Sequence, residues 1–286
     1  MNGQDANPRP TPRGFGSGIG PDLGPRVAAA VVMGLAAVTA AWIGGVLFVA
    51  FWWIASVVVL WEWQRIVRAD RLVERLAAGT LGLALAALFA LHQSVIGAAA
   101  VLCLAAGAVG WLAGSSHRIW AAAGVVYAGA LVVSLGLLRA SPAYGLAAIL
   151  WLFAVVWGTD VAAYFGGRLI GGPRLWPSVS PGKTWSGAVV GALAGAACGL
   201  LLGGWTSRID RLFWLGLATA VMSELGDLFE SALKRRFGVK DSSSLIPGHG
   251  GLMDRLDAFI AASVFAALVA GANTNGSFIA SGLFQW

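Results

Sequence analysis

Charged side chains are scarce in this chain, and where they gather their types suit phosphate and metal chemistry. Residues Ser231 to Asp257 read S-A-L-K-R-R-F-G-V-K-D-S-S-S-L-I-P-G-H-G-G-L-M-D-R-L-D. Lys234, Arg235, Arg236, Lys240, Asp241, Asp254, Arg255 and Asp257 all lie here, although charged residues are only 11% of the 286 and hydrophobic ones 58%. A glycine-proline-histidine knot, Pro247-Gly248-His249-Gly250-Gly251, separates the bases from the aspartates. Asp254 and Asp257 are three apart, so both can face one point on a helix. Upstream, at about 100° per residue, Glu224, Asp227, Glu230, Ser231 and Lys234 share a sector of roughly 120° and form a wet stripe. Carboxylates converging beside Lys and Arg describe a magnesium-phosphate centre better than a zinc one, because hard cations prefer oxygen ligands.

Taken singly, each residue has a plainer reading. Lys234, Arg235 and Arg236 can be the basic collar that ends a membrane span. Asp160 can be a hydrogen-bond acceptor between helices. His249, without a partnered Ser or Cys, supports no nucleophilic triad. Glu62, between Trp61 and Trp63, reads as one charge in an interfacial aromatic belt. Gly195 with Ala194, Ala196 and Gly199 reads as close helix packing. Yet an acid at the bilayer centre costs about 2.5–3.5 kcal/mol, so Asp160, Glu224, Asp227 and Glu230 remain functional candidates.

The elements that must position these groups are membrane helices. A mean hydropathy of +0.78, with 14 Trp and 40 Gly, excludes a soluble domain, which could not cover so much apolar surface. The fold class is all-α, a polytopic integral membrane protein with about nine spans of roughly 20 residues. Residues 1–25, rich in Pro and Gly, are expected to form a disordered cytoplasmic tail. The uncharged stretch from Val27 to Trp61 is too long for a signal peptide and makes two spans turning near Gly44-Gly45. Residues 26–140 hold the N-terminal helices, and 141–286 the catalytic region with its polar loops. Cys103 and Cys198 lie in apolar runs without spacing pattern and imply neither disulfide nor zinc.

With a cytoplasmic N-terminus, only Arg139, Arg208 and Arg211 of the 19 basic residues fall outside, as the positive-inside rule requires. The loops Gly166 to Thr184 and Lys234 to Arg255 then both face the cytoplasm, where nucleotides are available. The pI near 10.0 fits anionic lipid and phosphate partners, so no nucleic acid is implied.

As a unit, S-x-x-K-R-x4-K-D-S-x-x-L-I-P-G-H-G-G-x-x-D-R-x-D resembles the signature of the phosphatidate cytidylyltransferases, or CDP-diacylglycerol synthases. Trp157-Gly-Thr-Asp160 with Ala163, Tyr164 and Gly166, Ser180-Pro-Gly-Lys183-Thr184-Trp185, Gly226-Asp227-Leu228 with Glu230-Ser231, and Trp61-Glu62-Trp63 extend the resemblance. It is strong over Trp157 to Asp257 and generic elsewhere. Two departures are Ser186, where the family usually has an acid or amide, and Ser243, where it usually has Gly; the second implies a turn that needs no positive φ or tolerates it at some cost.

The resemblance implies transfer of the cytidylyl group from CTP to phosphatidate, giving CDP-diacylglycerol and pyrophosphate. It implies Mg2+, with room for a second monovalent or divalent cation, and a homodimer. The catalytic group would comprise Asp227, Lys234, Arg235, Lys240, Asp241, His249, Asp254, Arg255 and Asp257. Substrate would meet Asp160, Tyr164, Ser180, Lys183, Thr184, Ser231, Gly248, Gly250 and Gly251. Metal would be held by Asp227, Asp254, Asp257, Asp160 and Glu230. The preference for Arg over Lys points to a GC-rich bacterial genome; the expected location is the bacterial cytoplasmic (inner) membrane, with the site on the cytoplasmic side to which the loop charges assign it. Two alternatives stand beside this: a CTP-dependent transferase or kinase acting on another membrane lipid, and an ion-coupled transporter that buries Asp160, Glu224 and Asp227 along a path.

Overall fold

The computed structural model describes residues 23–203, 209–246, 250–275 and 278–285. Helices account for nearly all of the regular structure: α1 (Leu23–Ile43), α2 (Gly45–Val67), α3 (Leu72–Leu91), α4 (Val95–Leu112), α5 (Arg118–Arg139) and α6 (Gly145–Ile170). A hairpin of β1 (Arg174–Trp176) and β2 (Ser180–Thr184) follows, then α7 (Trp185–Gly203), α8 (Ile209–Arg236), α9 (Met253–Asn273) and the short α10 (Ser281–Phe284). Among the described residues, eight helices, α2 to α9, are long and apolar enough to cross a membrane, and α1 carries the shorter apolar run Val27–Ile43. This is the polytopic all-α architecture that the composition demands.

Hydropathy places most boundaries. The turn between the first two helices falls at Gly44 and Gly45, with φ of 70° and 57°, a left-handed conformation that glycine adopts without a Cβ penalty. Arg139, at the last turn of α5, donates through Nε to the Ala41 carbonyl at 2.6 Å. Its place among the expected outside charges thus has a structural reason: the guanidinium satisfies a carbonyl at the C-terminus of α1.

The antiparallel hairpin has no counterpart in the sequence reading. Arg174 pairs with Thr184 and Trp176 with Ser180 across an irregular register. Its link to α7 is a cap: Thr184 Oγ1 accepts the Gly187 N–H at 3.1 Å, satisfying one of the helix's orphan donors. Ser186 Oγ donates to the Gly171 carbonyl just past α6, so this departure from the family pattern fastens the hairpin's base.

Helices α6 and α7 pack at very short range. A Cβ on Gly195 would lie 2.8 Å from Ala220 Cβ and 3.2 Å from the Val155 carbonyl, and one on Gly199 would lie 3.1 Å from Trp151 Nε1. The small-residue stretch is therefore a packing seam, as expected. Helix α8 has 28 residues, about 42 Å at 1.5 Å per residue. That exceeds the roughly 30 Å hydrocarbon thickness, so its charged end can project to the interface. Lys234, Arg235 and Arg236 in its last turn also complement the helix dipole.

Candidate active site

Three elements meet where the charges gather: the C-terminal half of α8, the N-terminus of α9 and the β1–β2 hairpin. Lys234 stands between two carboxylates, its Nζ 2.7 Å from Glu230 Oε2 and 2.8 Å from Asp254 Oδ1. Glu230 is 1% and Lys234 9% exposed. Lys234 is a cation that both carboxylates share, which offsets part of the cost of burying them. Asp254 also accepts the Ser242 N–H and, at 2.8 Å, the Gly251 N–H. The Gly251 amide, expected to serve substrate phosphate, is thus directed at a carboxylate of the protein itself.

On the neighbouring turn of α8, Asp227 pairs with Lys183 of β2, Oδ2 to Nζ 2.6 Å, and accepts from Ser231 Oγ at 3.4 Å. The hairpin therefore carries a lysine from one polar block to an aspartate of another. Arg235 Nε holds it there by donating to the Val179 carbonyl at 3.4 Å. Asp257 is buried, and its Oδ1 accepts the Ala258 N–H at 2.8 Å.

These groups border a cavity of about 1690 Å3. Its polar lining includes Asp160, Glu224, Asp227, Asp254 and Asp257 beside Lys183, Arg255, Arg168 and Arg174, with Tyr164 and Thr184. Its apolar lining comes largely from α1, α2 and α6, with Val31, Gly34, Phe51, Trp52, Phe153 and Trp157 among it. Phe259 of α9 stacks on Trp52 and Phe153 at 5.4 and 5.2 Å between centroids.

The candidates thus fall into distinct places. Asp160, Tyr164, Lys183, Thr184, Asp227, Asp254, Arg255 and Asp257 line the cavity. Glu230 and Lys234 sit in the buried triad behind Asp254. Lys240 and Asp241 are exposed in the turn after α8, and Ser180 is half-buried in the hairpin. Gly250 takes φ 82°, and its carbonyl accepts the Ile246 N–H. Gly248 and His249 lie outside the described residues.

Donor chemistry at the cavity fits a hard cation, since its acids offer oxygen only. Among the described residues no three His, Cys, Asp or Glu side chains converge as a ready-made metal cage. Magnesium, a hard cation, takes one or two carboxylates and completes its shell with water and substrate phosphates. Glu224 Oε1 points the same way, being buried without a hydrogen-bond partner among the described residues.

Sequence reasoning missed Glu62. It is no belt residue: its side chain is fully buried and reaches the segment that runs into α9. Oε1 accepts from Ser243 Oγ at 2.6 Å and Leu252 N at 2.9 Å. Oε2 accepts from Met253 N at 2.6 Å and Ser242 Oγ at 3.2 Å. The available signal was an acid in the Trp61-Glu62-Trp63 block; nothing local tied it to residues about 190 positions away. Ser243 has no positive φ, so the turn needs no glycine there, and its hydroxyl makes one of these bonds.

The pattern of the Cytidylyltransferase family matches residues 25–272 of the chain. The chain belongs to the cytidylyltransferase family. Among curated members of this cytidylyltransferase group, the phosphatidate cytidylyltransferase of Brucella suis is 40% identical over 253 residues, covering 85% of this chain and 91% of the relative. That of Haemophilus influenzae is 43% identical over 131 residues, 43% of this chain and 46% of the relative. That of Staphylococcus epidermidis is 45% identical over 119 residues, 41% of this chain and 46% of the relative.

Proposed function

We propose that this membrane-embedded cytidylyltransferase transfers the cytidylyl group of CTP to phosphatidate, forming CDP-diacylglycerol and releasing pyrophosphate. The names of its relatives support the reading. The observation that carries it is one cavity with two kinds of lining: acids and bases, and aliphatic and aromatic side chains of membrane helices. A lipid with a phosphate head needs both.

The chemistry asks little of the protein beyond placement and charge. A phosphatidate oxygen attacks the α-phosphorus of CTP; the new P–O bond forms as the bond to the pyrophosphate oxygen breaks. The attacking phosphate is already anionic, so no strong base is required, and the task is to hold two anions in line. Lys183, Arg168, Arg174 and Arg255 supply positive charge along the cavity, where it offsets phosphate repulsion and stabilises the leaving group. Asp227, Asp257 and Asp160, with Asp254 nearby, would hold Mg2+. The ion, when bound, neutralises phosphate charge and orients the reacting oxygens. Lys234 keeps Asp254 in place from behind.

We place the site at the cytoplasmic face of a bacterial inner membrane. The support is the shared end of the bundle: Glu62, three residues before Arg65 in α2, touches the segment into α9, and Arg236, from the last turn of α8, lies over Trp120 beside Arg118. We also propose the homodimer that the resemblance implies; light scattering in detergent should give twice the 29.4 kDa chain mass, and the single mass would exclude it. The reaction itself is checked with purified protein, CTP and phosphatidate. CDP-diacylglycerol should form with Mg2+ and cease with chelator, whereas undiminished product in chelator would remove the metal from this account.

A further inference from the structure

Glu62 is the residue whose surroundings the reaction leaves unexplained. It belongs to α2, outside the strongest part of the motif, and it does not line the cavity. Its side chain is fully buried, and its carboxylate oxygens are approached by donors from one segment only: two serine hydroxyls and the backbone N–H groups of Leu252 and Met253. Those amides belong to the start of α9, where no side chain of the helix itself makes a cap and backbone donors are left over. A carboxylate at a helix N-terminus is favoured by the helix dipole as well as by the bonds. Glu62 is therefore a cap delivered from another helix. A second observation agrees: a Cβ on Gly251 would collide with both Glu62 Oε1 and Ser242 Oγ, so the backbone runs directly against the carboxylate.

The capped turn contains Asp254, and Asp257 follows one turn later; both border the cavity. Two carboxylates thus interlock at one junction, with Asp254 taking the Gly251 and Ser242 amides and Glu62 taking the next two. We propose that Glu62 is a positioning residue for the cytidylyl transfer, fixing the N-terminus of α9 so that Asp254 and Asp257 face the reacting phosphates. It touches no substrate. The inference rests on the proposed reaction but has a readout of its own. Each Glu62 oxygen receives one backbone N–H, so in Glu62→Gln the amide group would set a donor against a donor whichever way it turned.

Full-length Glu62→Gln protein, purified in detergent, should show faster backbone hydrogen exchange in peptides spanning residues 250–256 while α3 to α5 exchange as in wild type. Its kcat with CTP and phosphatidate should fall about 100-fold, the scale of a misplaced catalytic group, with KM for CTP changed less than roughly threefold. Ser243→Ala, lacking one of the four bonds, should lose roughly fivefold in kcat, and Ser243→Thr, which keeps the hydroxyl, should recover most of it. Unchanged exchange at 250–256 in Glu62→Gln, or kcat within twofold of wild type, would overturn the proposal. Should Glu62→Gln not fold, the Ser243→Ala and Ser243→Thr pair decides by the same two measurements. If wild type makes no CDP-diacylglycerol, the reaction reading fails, and the exchange comparison alone still decides whether Glu62 holds α9.

Discussion

Asp254 and Lys234 show how residues with the same signature can fail in different ways. Asp254 borders the cavity and also gathers two backbone amides and Lys234. Asp254→Asn should keep the membrane fold and lose Mg2+-dependent incorporation of labelled CTP into lipid by about 100-fold or more, as expected when a transition-state interaction is removed. Wild-type activity would take Asp254 out of the metal role. Lys234 is different, because it is the cation between Glu230 and Asp254. Lys234→Met should leave two buried carboxylates facing each other and destabilise the protein by about 3–5 kcal/mol. Thermal unfolding in detergent checks this: a transition unchanged from wild type would mean that the triad contributes nothing. The spacing of Glu230, Lys234 and Asp254 was legible in the sequence as a wet helix face meeting a helix start. Which charged groups border the cavity and which stand behind it was not legible, because Glu224 and Asp227, which line it, share one stripe on α8 with Glu230 and Lys234, which do not.

The same division holds among the elements. The Gly44-Gly45 pair gives the turn between α1 and α2 to the residue, while hydropathy leaves their outer ends short, at Val27 rather than Leu23 and at Trp61 rather than Val67. A membrane span must hydrogen-bond its own backbone, so its existence is legible where its charged ends are not. The β1–β2 hairpin escaped notice because its sequence, P-R-L-W-P-S-V-S-P-G-K-T, has three prolines and no alternation of apolar and polar residues. It matters functionally, for it brings Lys183 to Asp227. Lys183→Ala should lower kcat/KM for CTP at least tenfold, if this ammonium meets phosphate as well as Asp227; an unchanged value would confine Lys183 to holding the hairpin. The α6–α7 seam makes a separate prediction about stability. Gly195→Ala would force its new Cβ against Ala220 and Thr159, costing about 1–3 kcal/mol as overpacking does. The unfolding temperature should fall, and one equal to wild type would show that the helices separate at little cost.

At the scale of the whole molecule, the cavity explains why this chemistry sits in a membrane. One cavity is lined both by apolar side chains of α1, α2 and α6 and by charged ones, so a lipid can present its phosphate to a water-soluble nucleotide while its tails stay among apolar groups. Topology can be tested at Ser244, which is exposed beside the α9 junction. With Cys103 and Cys198 replaced, Ser244→Cys should react with an impermeant thiol reagent in intact cells only after permeabilisation; reaction beforehand would reverse the orientation. The central claim, transfer of the α-phosphoryl group with its nucleoside to a lipid phosphate, is tested most directly by following isotope from CTP labelled at the α or the γ position. With purified protein, phosphatidate and Mg2+, α-label should enter the lipid while γ-label leaves as pyrophosphate, one for one. Transfer of γ-label into lipid with release of CDP would contradict the account and make the protein a lipid kinase.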